Sequence, residues 1–236
     1  MMQKRYVLCG LLFIAGQPLA NAFPVLDSVV PNGWKQVATA SGDLNKDGTD
    51  DDVVVLEQLD PANLKANDGP GVPVLNLNPR RLLVMFKTAE GYQQVLGRDD
   101  LLPSEHDADS PCLADPLLEQ GGVAISDGKL IIKLGSWLSC GSYAVTSSKF
   151  TFRLEGGRFR LIGYDYQEFS RNSGEISEKS INYLNGKKKT ITGKNEFTES
   201  KPVTSWAKIP SLPKFYLDDI RLSCYSSGEA ACGWDK

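Results

Sequence analysis

The sequence is poor in the groups from which most hydrolases and metalloenzymes are built. It holds one histidine, His106, in 236 residues, so any histidine general base would have to be that residue. It has no GxSxG turn to present a nucleophilic serine and no CxxC pair for zinc or redox chemistry. There is no basic excess either: the formal net charge is −3, which argues against a nucleic-acid partner. Long apolar runs are missing apart from Tyr6 to Gly16, and that run is short of the roughly 20 residues needed to cross a bilayer.

What the first residues do contain is the order of a secretory signal. Lys4 and Arg5 precede the apolar run, and the small-residue site Ala20-Asn21-Ala22 follows it, so residues 1–22 are predicted to be removed before Phe23. Cys9 stands before most of the apolar run, where a lipid-bearing cysteine would follow it. Losing Lys4 and Arg5 takes the basic count from 26 to 24 against 29 acidic residues, so the mature chain is more acidic. It is expected to be periplasmic, if the source has two membranes, or secreted, with no membrane insertion after cleavage.

Four of the five cysteines remain after cleavage, an even number in a compartment that allows oxidation. Three pairings are possible. Cys112–Cys140 with Cys224–Cys232 is favoured because it closes short loops, the second around a Ser-Ser-Gly turn.

Between these landmarks the apolar segments are short, rich in Val, Ile, Phe and Tyr, and punctuated by Gly, Asn, Asp and Pro. Strands are predicted at 53–56, 82–87, 92–96, 123–126, 129–134, 149–154, 158–166, 180–184 and 188–192. Asp127-Gly128, Gly156-Gly157 and Asn185-Gly186 supply two-residue hairpin turns. Helix is expected only as a turn near Asp100 to Leu102 and at Pro116 to Glu119. The stretches 60–80 and 103–116 read as long loops. The fold class is therefore mainly β: a single antiparallel, hairpin-rich domain over 23–236, arranged as a sandwich or a partial propeller.

One motif carries chemistry. Residues 42–52 read Gly-Asp-Leu-Asn-Lys-Asp-Gly-Thr-Asp-Asp-Asp, directly before Val53 to Leu56. Oxygens of Asp43, Asn45 and Asp47 at alternate positions converge when a chain wraps a hard cation. Gly48 permits the turn that brings the Thr49 carbonyl and a further carboxylate, Asp51, to complete the ligands. The twelfth position is Val54, so the bidentate glutamate of an EF-hand is absent. An acidic, solvated turn without an ion is the plainer reading, but acids this close repel one another and a cation relieves that repulsion.

This segment resembles the DxNxDGxxD loops of integrin-like FG-GAP and VCBS repeats and of related exported β proteins, where the loop joins two strands. The resemblance covers about a dozen residues and implies calcium, with no activity attached. Asp52 departs from it, standing where such loops turn apolar, so the last ligand could fall at Asp50, Asp51 or Asp52. Residues 159–166, with 174–175 and 180–187, are similar to a pattern in uncharacterised exported bacterial families that carry such a loop.

The remaining candidates have bland alternatives. His106 lies in the polar stretch 104–109 and reads as an exposed loop histidine. Asp165, Glu168 and Glu175 lie near one hairpin and could form the carboxylate pair of a glycosidase, although acids are abundant here. Lys187-Lys188-Lys189 reads as a solvated hairpin end. Tyr164, Tyr166 and Phe169, with Trp137 and Trp206, are either a carbohydrate or protein contact surface or core and cross-strand pairs. The leading expectation is a non-enzymatic, calcium-stabilised domain that binds a protein or envelope partner, with a periplasmic inhibitor or immunity protein as one version. A calcium-assisted hydrolase of glycan or ester bonds is the alternative.

Overall fold

A computed structural model describes residues 29–119, 121–209, 212 and 214–228. The predicted signal peptide and Cys232, hence the expected Cys224–Cys232 bridge, lie outside the described residues.

Thirteen strands follow in order: β1 (Trp34–Gly42), β2 (Asp51–Gln58), β3 (Leu64–Ala66), β4 (Val74–Asn76), β5 (Arg80–Thr88), β6 (Gly91–Leu102), β7 (Gly122–Ser126), β8 (Lys129–Trp137), β9 (Ala144–Glu155), β10 (Arg158–Ser170), β11 (Glu175–Asn182), β12 (Lys187–Asn195) and β13 (Val203–Lys208). They form a four-stranded sheet in the order β1-β2-β5-β6, a seven-stranded sheet running from β13 to β7 in sequence order, and the small β3-β4 hairpin. The pairings are antiparallel throughout. No helix among the described residues is long and apolar enough to cross a membrane.

The two larger sheets share one core. Val53, Val55, Leu82 and Val84 of the first meet Leu130, Ile132, Phe150 and Phe152 of the second, and Phe86 stacks edge-on against Phe159 with centroids 6.4 Å apart. Of the two arrangements open to the sequence, this is the sandwich. The opposite face of the four-stranded sheet is also covered, because Val54, Leu56, Leu83 and Met85 pack beneath Val29, Val30 and Trp34. Burial on both faces explains why Val53 to Leu56 is an unbroken apolar run.

The C-terminal segment returns to the core. Phe215, Leu217, Ile220, Leu222 and Tyr225 are buried in it, and Leu161 and Leu217 donate to the carbonyls of Phe215 and Phe159. Strand β10 has its register shift at this point, between Leu161 and Gly163. There its free edge changes partner from the returning segment to β11.

Several expectations need correction. Asp100 to Leu102 belongs to β6 rather than to a helical turn, its two leucines being pulled into the core. Asn185-Gly186 is not a two-residue hairpin: β11 ends at Asn182, whose side chain accepts from the amides of Leu184 and Asn185 and shapes a longer turn. The 60–80 stretch is no simple loop, since it carries β3 and β4. Cys112 and Cys140 are bridged as expected, with Cα atoms 5.6 Å apart.

Candidate functional site

The 43–52 loop joins β1 to β2 and is folded around its own acidic side chains. Asp43 accepts from the amides of Lys46 (2.6 Å), Asp47 (3.2 Å) and Gly48 (3.0 Å). Asn45 accepts from Asp47, and Asp47 from Thr49. The wrapping needs left-handed backbone at Lys46 and Gly48, with φ of 65° and 88°, which glycine adopts without cost at the second position. Asp43, Asn45 and Asp47 are thus held on one tight turn, as their alternation suggests. The amide of Thr49 and the Asn45 side chain hold the Asp47 carboxyl below its usual range.

Asp51 lies at the base of that exposed turn and is fully buried. One of its oxygens accepts from the amides of Leu44 and Asn45 and the other from Lys87 on β5. Burial pushes its pKa up against those three hydrogen bonds, and no lysine or arginine pairs with it among the described residues. Of the three consecutive acids, Asp51 is the one that reaches into the loop. Asp52 instead accepts from Ser41 and from Tyr92, whose own pKa that contact pushes up to about 12.

The donor set is all oxygen, which suits calcium, and the buried, unpaired Asp51 charge is one that a nearby cation would compensate. Asp43, Asn45, Asp47 and the Thr49 carbonyl are the groups that would hold the ion. Among the described residues, no group of three or more His, Cys, Asp or Glu side chains is drawn together in a metal-holding arrangement. Leu44, only 2 % exposed, drives the base of the loop into the main core, and the carbonyl of Asp43 lies beside the β7–β8 turn at Gly128. The loop therefore sits where the two sheets meet.

The candidate catalytic groups are dispersed. The Nδ1 of His106 accepts from the Asn76 amide of β4, which leaves the proton of the neutral ring on Nε2. His106 lines an open cleft of about 510 Å³ with Asp107, Ser104 and Ser223. Asp165 is elsewhere, on the outer face of β10, bonded to Lys149 (2.7 Å) and Ser180 (2.6 Å). Glu168 takes the Tyr166 hydroxyl and shares a smaller cleft of about 270 Å³ with Glu175. Tyr164 and Tyr166 are core residues, whereas Trp206 is 65 % exposed on β13.

One constellation escaped the sequence. Arg80, fully buried, bonds Asp115 with both terminal nitrogens (2.7 and 2.6 Å) and Glu57 through Nε (3.0 Å). Lys35 and Asn76 complete Glu57. Burial raises both acids, and the cations beside them outweigh it, so both titrate below their usual range. The charged members, Lys35, Glu57, Arg80 and Asp115, are far apart in sequence and carry no motif; the trace they leave is an arginine opening an apolar strand.

Compared with known families, curated proteins and solved structures, the chain has no significant match.

Proposed function

We propose that this protein is an exported, non-enzymatic β domain, periplasmic or secreted, that binds a protein or envelope partner and uses calcium in the 43–51 loop as a structural ion. The observation that carries the binding reading is the dispersal of the candidate groups. His106, Asp165 and the Glu168/Glu175 pair line three different clefts, where a hydrolase needs acid, base and substrate in one. The His106 tautomer weighs the same way, since its Nδ1 lone pair is already in use. The structural role of calcium is supported by the loop's position, with Leu44 in the core and Asp51 tied to β5.

Thermal unfolding with saturating calcium and then EDTA tests the ion. A tenfold excess over the dissociation constant stabilises by about 1.4 kcal/mol, so the midpoint should fall by roughly 3–6 °C in EDTA. Identical melts, with no heat of calcium binding, would remove calcium from the proposal. Affinity capture from the envelope extract, with and without calcium, tests the binding role. A saturable partner is expected, and ester or glycan hydrolysis abolished by His106→Ala would favour the hydrolase instead.

A further inference from the structure

The outer face of the seven-stranded sheet, turned away from the core, has a charge pattern at odds with the acidic chain. The strand pairings align Lys133, Lys149, Asp165, Ser180, Lys189 and Trp206 in one row across six strands. On the same face Lys133 stands directly opposite Lys149, Lys129 opposite Arg153, and Lys187 opposite Lys208. Like charges directly opposite one another destabilise a sheet, yet three such pairs share this face of a chain whose net charge is −3. Asp165 offsets Lys149, Glu155 pairs with Arg153 and Asp127 lies 3.6 Å from Lys129, which leaves Lys133, Lys187 and Lys208 without a bonded carboxylate among the described residues.

The row ends on an aromatic platform. Lys189 lies over the Trp206 ring, 6.0 Å from its centroid, and the indole is 65 % exposed. Two open clefts flank it: one of about 410 Å³ between Lys149 and Lys189, lined also by Gln167 and Glu178, and one of about 520 Å³ lined by Lys187, Trp206 and Lys208. From β9 to β13 the row crosses four strand spacings, about 19 Å.

We propose that this face binds an anionic polysaccharide lying across the strands, with Lys149, Lys189, Lys187 and Lys208 meeting its acidic groups and Trp206 stacking on a sugar ring. The inference rests on the binding role proposed above and names the chemistry of the partner. The direction of the row decides between occupants. An acidic peptide added to the sheet edge would run parallel to β13 and meet only its end of the row, whereas a chain lying across the strands uses all of it. Hydroxyls between the charges would find the polar side chains of Asp165, Gln167 and Ser180.

The test is titration calorimetry of the purified protein with polygalacturonate, dextran sulfate, neutral dextran and oligo(dT). Binding to one or both acidic polysaccharides, weakening with salt and absent with neutral dextran, is the expected result, and the two probes distinguish carboxylated from sulfated ligands. Trp206→Ala should weaken it at least about tenfold, as should the Lys187→Ala/Lys189→Ala pair, while Trp206→Phe retains most of it and Lys65→Ala on β3 changes nothing. Matching melting curves would establish that the variants fold. Absence of binding to either acidic polymer, equal binding to neutral dextran, tighter binding to oligo(dT), or indifference to the face variants would each overturn the proposal. A captured protein partner unaffected by those variants would overturn the inference while leaving the binding role intact. Release of reducing ends from the bound polymer would overturn the non-enzymatic reading while leaving the face in place.

Discussion

At the scale of single residues, Arg80 and Asp51 present opposite solutions to a buried charge. Arg80 is matched by Asp115 and Glu57, so its desolvation is offset, and removing it leaves Asp115 with no cation among the described residues and Glu57 with Lys35 alone. Such a loss typically costs about 3–5 kcal/mol; Arg80→Met should lower stability by that amount in urea unfolding, and Asp115→Asn by less because its two amide donors remain. Asp51 has only amide donors, so its charge is a cost that the fold carries. Neither environment was legible beforehand. The sequence shows Arg80 beside Arg81 and Asp51 between Asp50 and Asp52, and only the pleat decides which neighbour turns inward. The alternation of Asp43, Asn45 and Asp47 was legible because the ligand pattern is local.

At the scale of elements, turn chemistry read well where two residues did the work. Asp127-Gly128 and Gly156-Gly157 have positive φ at both positions, as their hairpins require. Space around Gly157 is open and its φ is 81°, so a substitution there tests conformation alone. Gly157→Val should cost about 1–2 kcal/mol and Gly157→Asn less, measured by denaturant midpoints, with the β9–β10 register retained. The sequence reading missed strands β1 and β13, whose cores are weak. The first is only half buried and the second exposed along its length, so neither shows the clean apolar alternation by which a strand is recognised. The Asp100–Leu102 error has the reverse cause: long-range burial of two leucines overrode a local acidic signal.

For the whole molecule, the buried charges set the response to pH. Glu57 and Asp115 titrate below their ordinary values of 4.5 and 3.8, so the stability they contribute is present above those values and is lost as pH falls through the lower folded ones. Asp51 is raised above 3.8, so its cost sets in as pH rises past that value and persists at neutrality, where a bound cation would offset it. Melting midpoints in calcium and EDTA should therefore differ most near neutral pH and converge as pH falls toward 4; a gap unchanged at pH 4 would place the ion away from these carboxylates. The meander itself governs how the chain assembles. From β7 to β13 every strand pairs with its immediate neighbour in sequence, so this sheet can zip up one short loop at a time with little entropy lost at each closure. The returning segment from Phe215 to Tyr225 is the exception, because it must find β10 across the length of three strands. A chain delivered from its N-terminal end would leave the sandwich open on that side until this segment arrived.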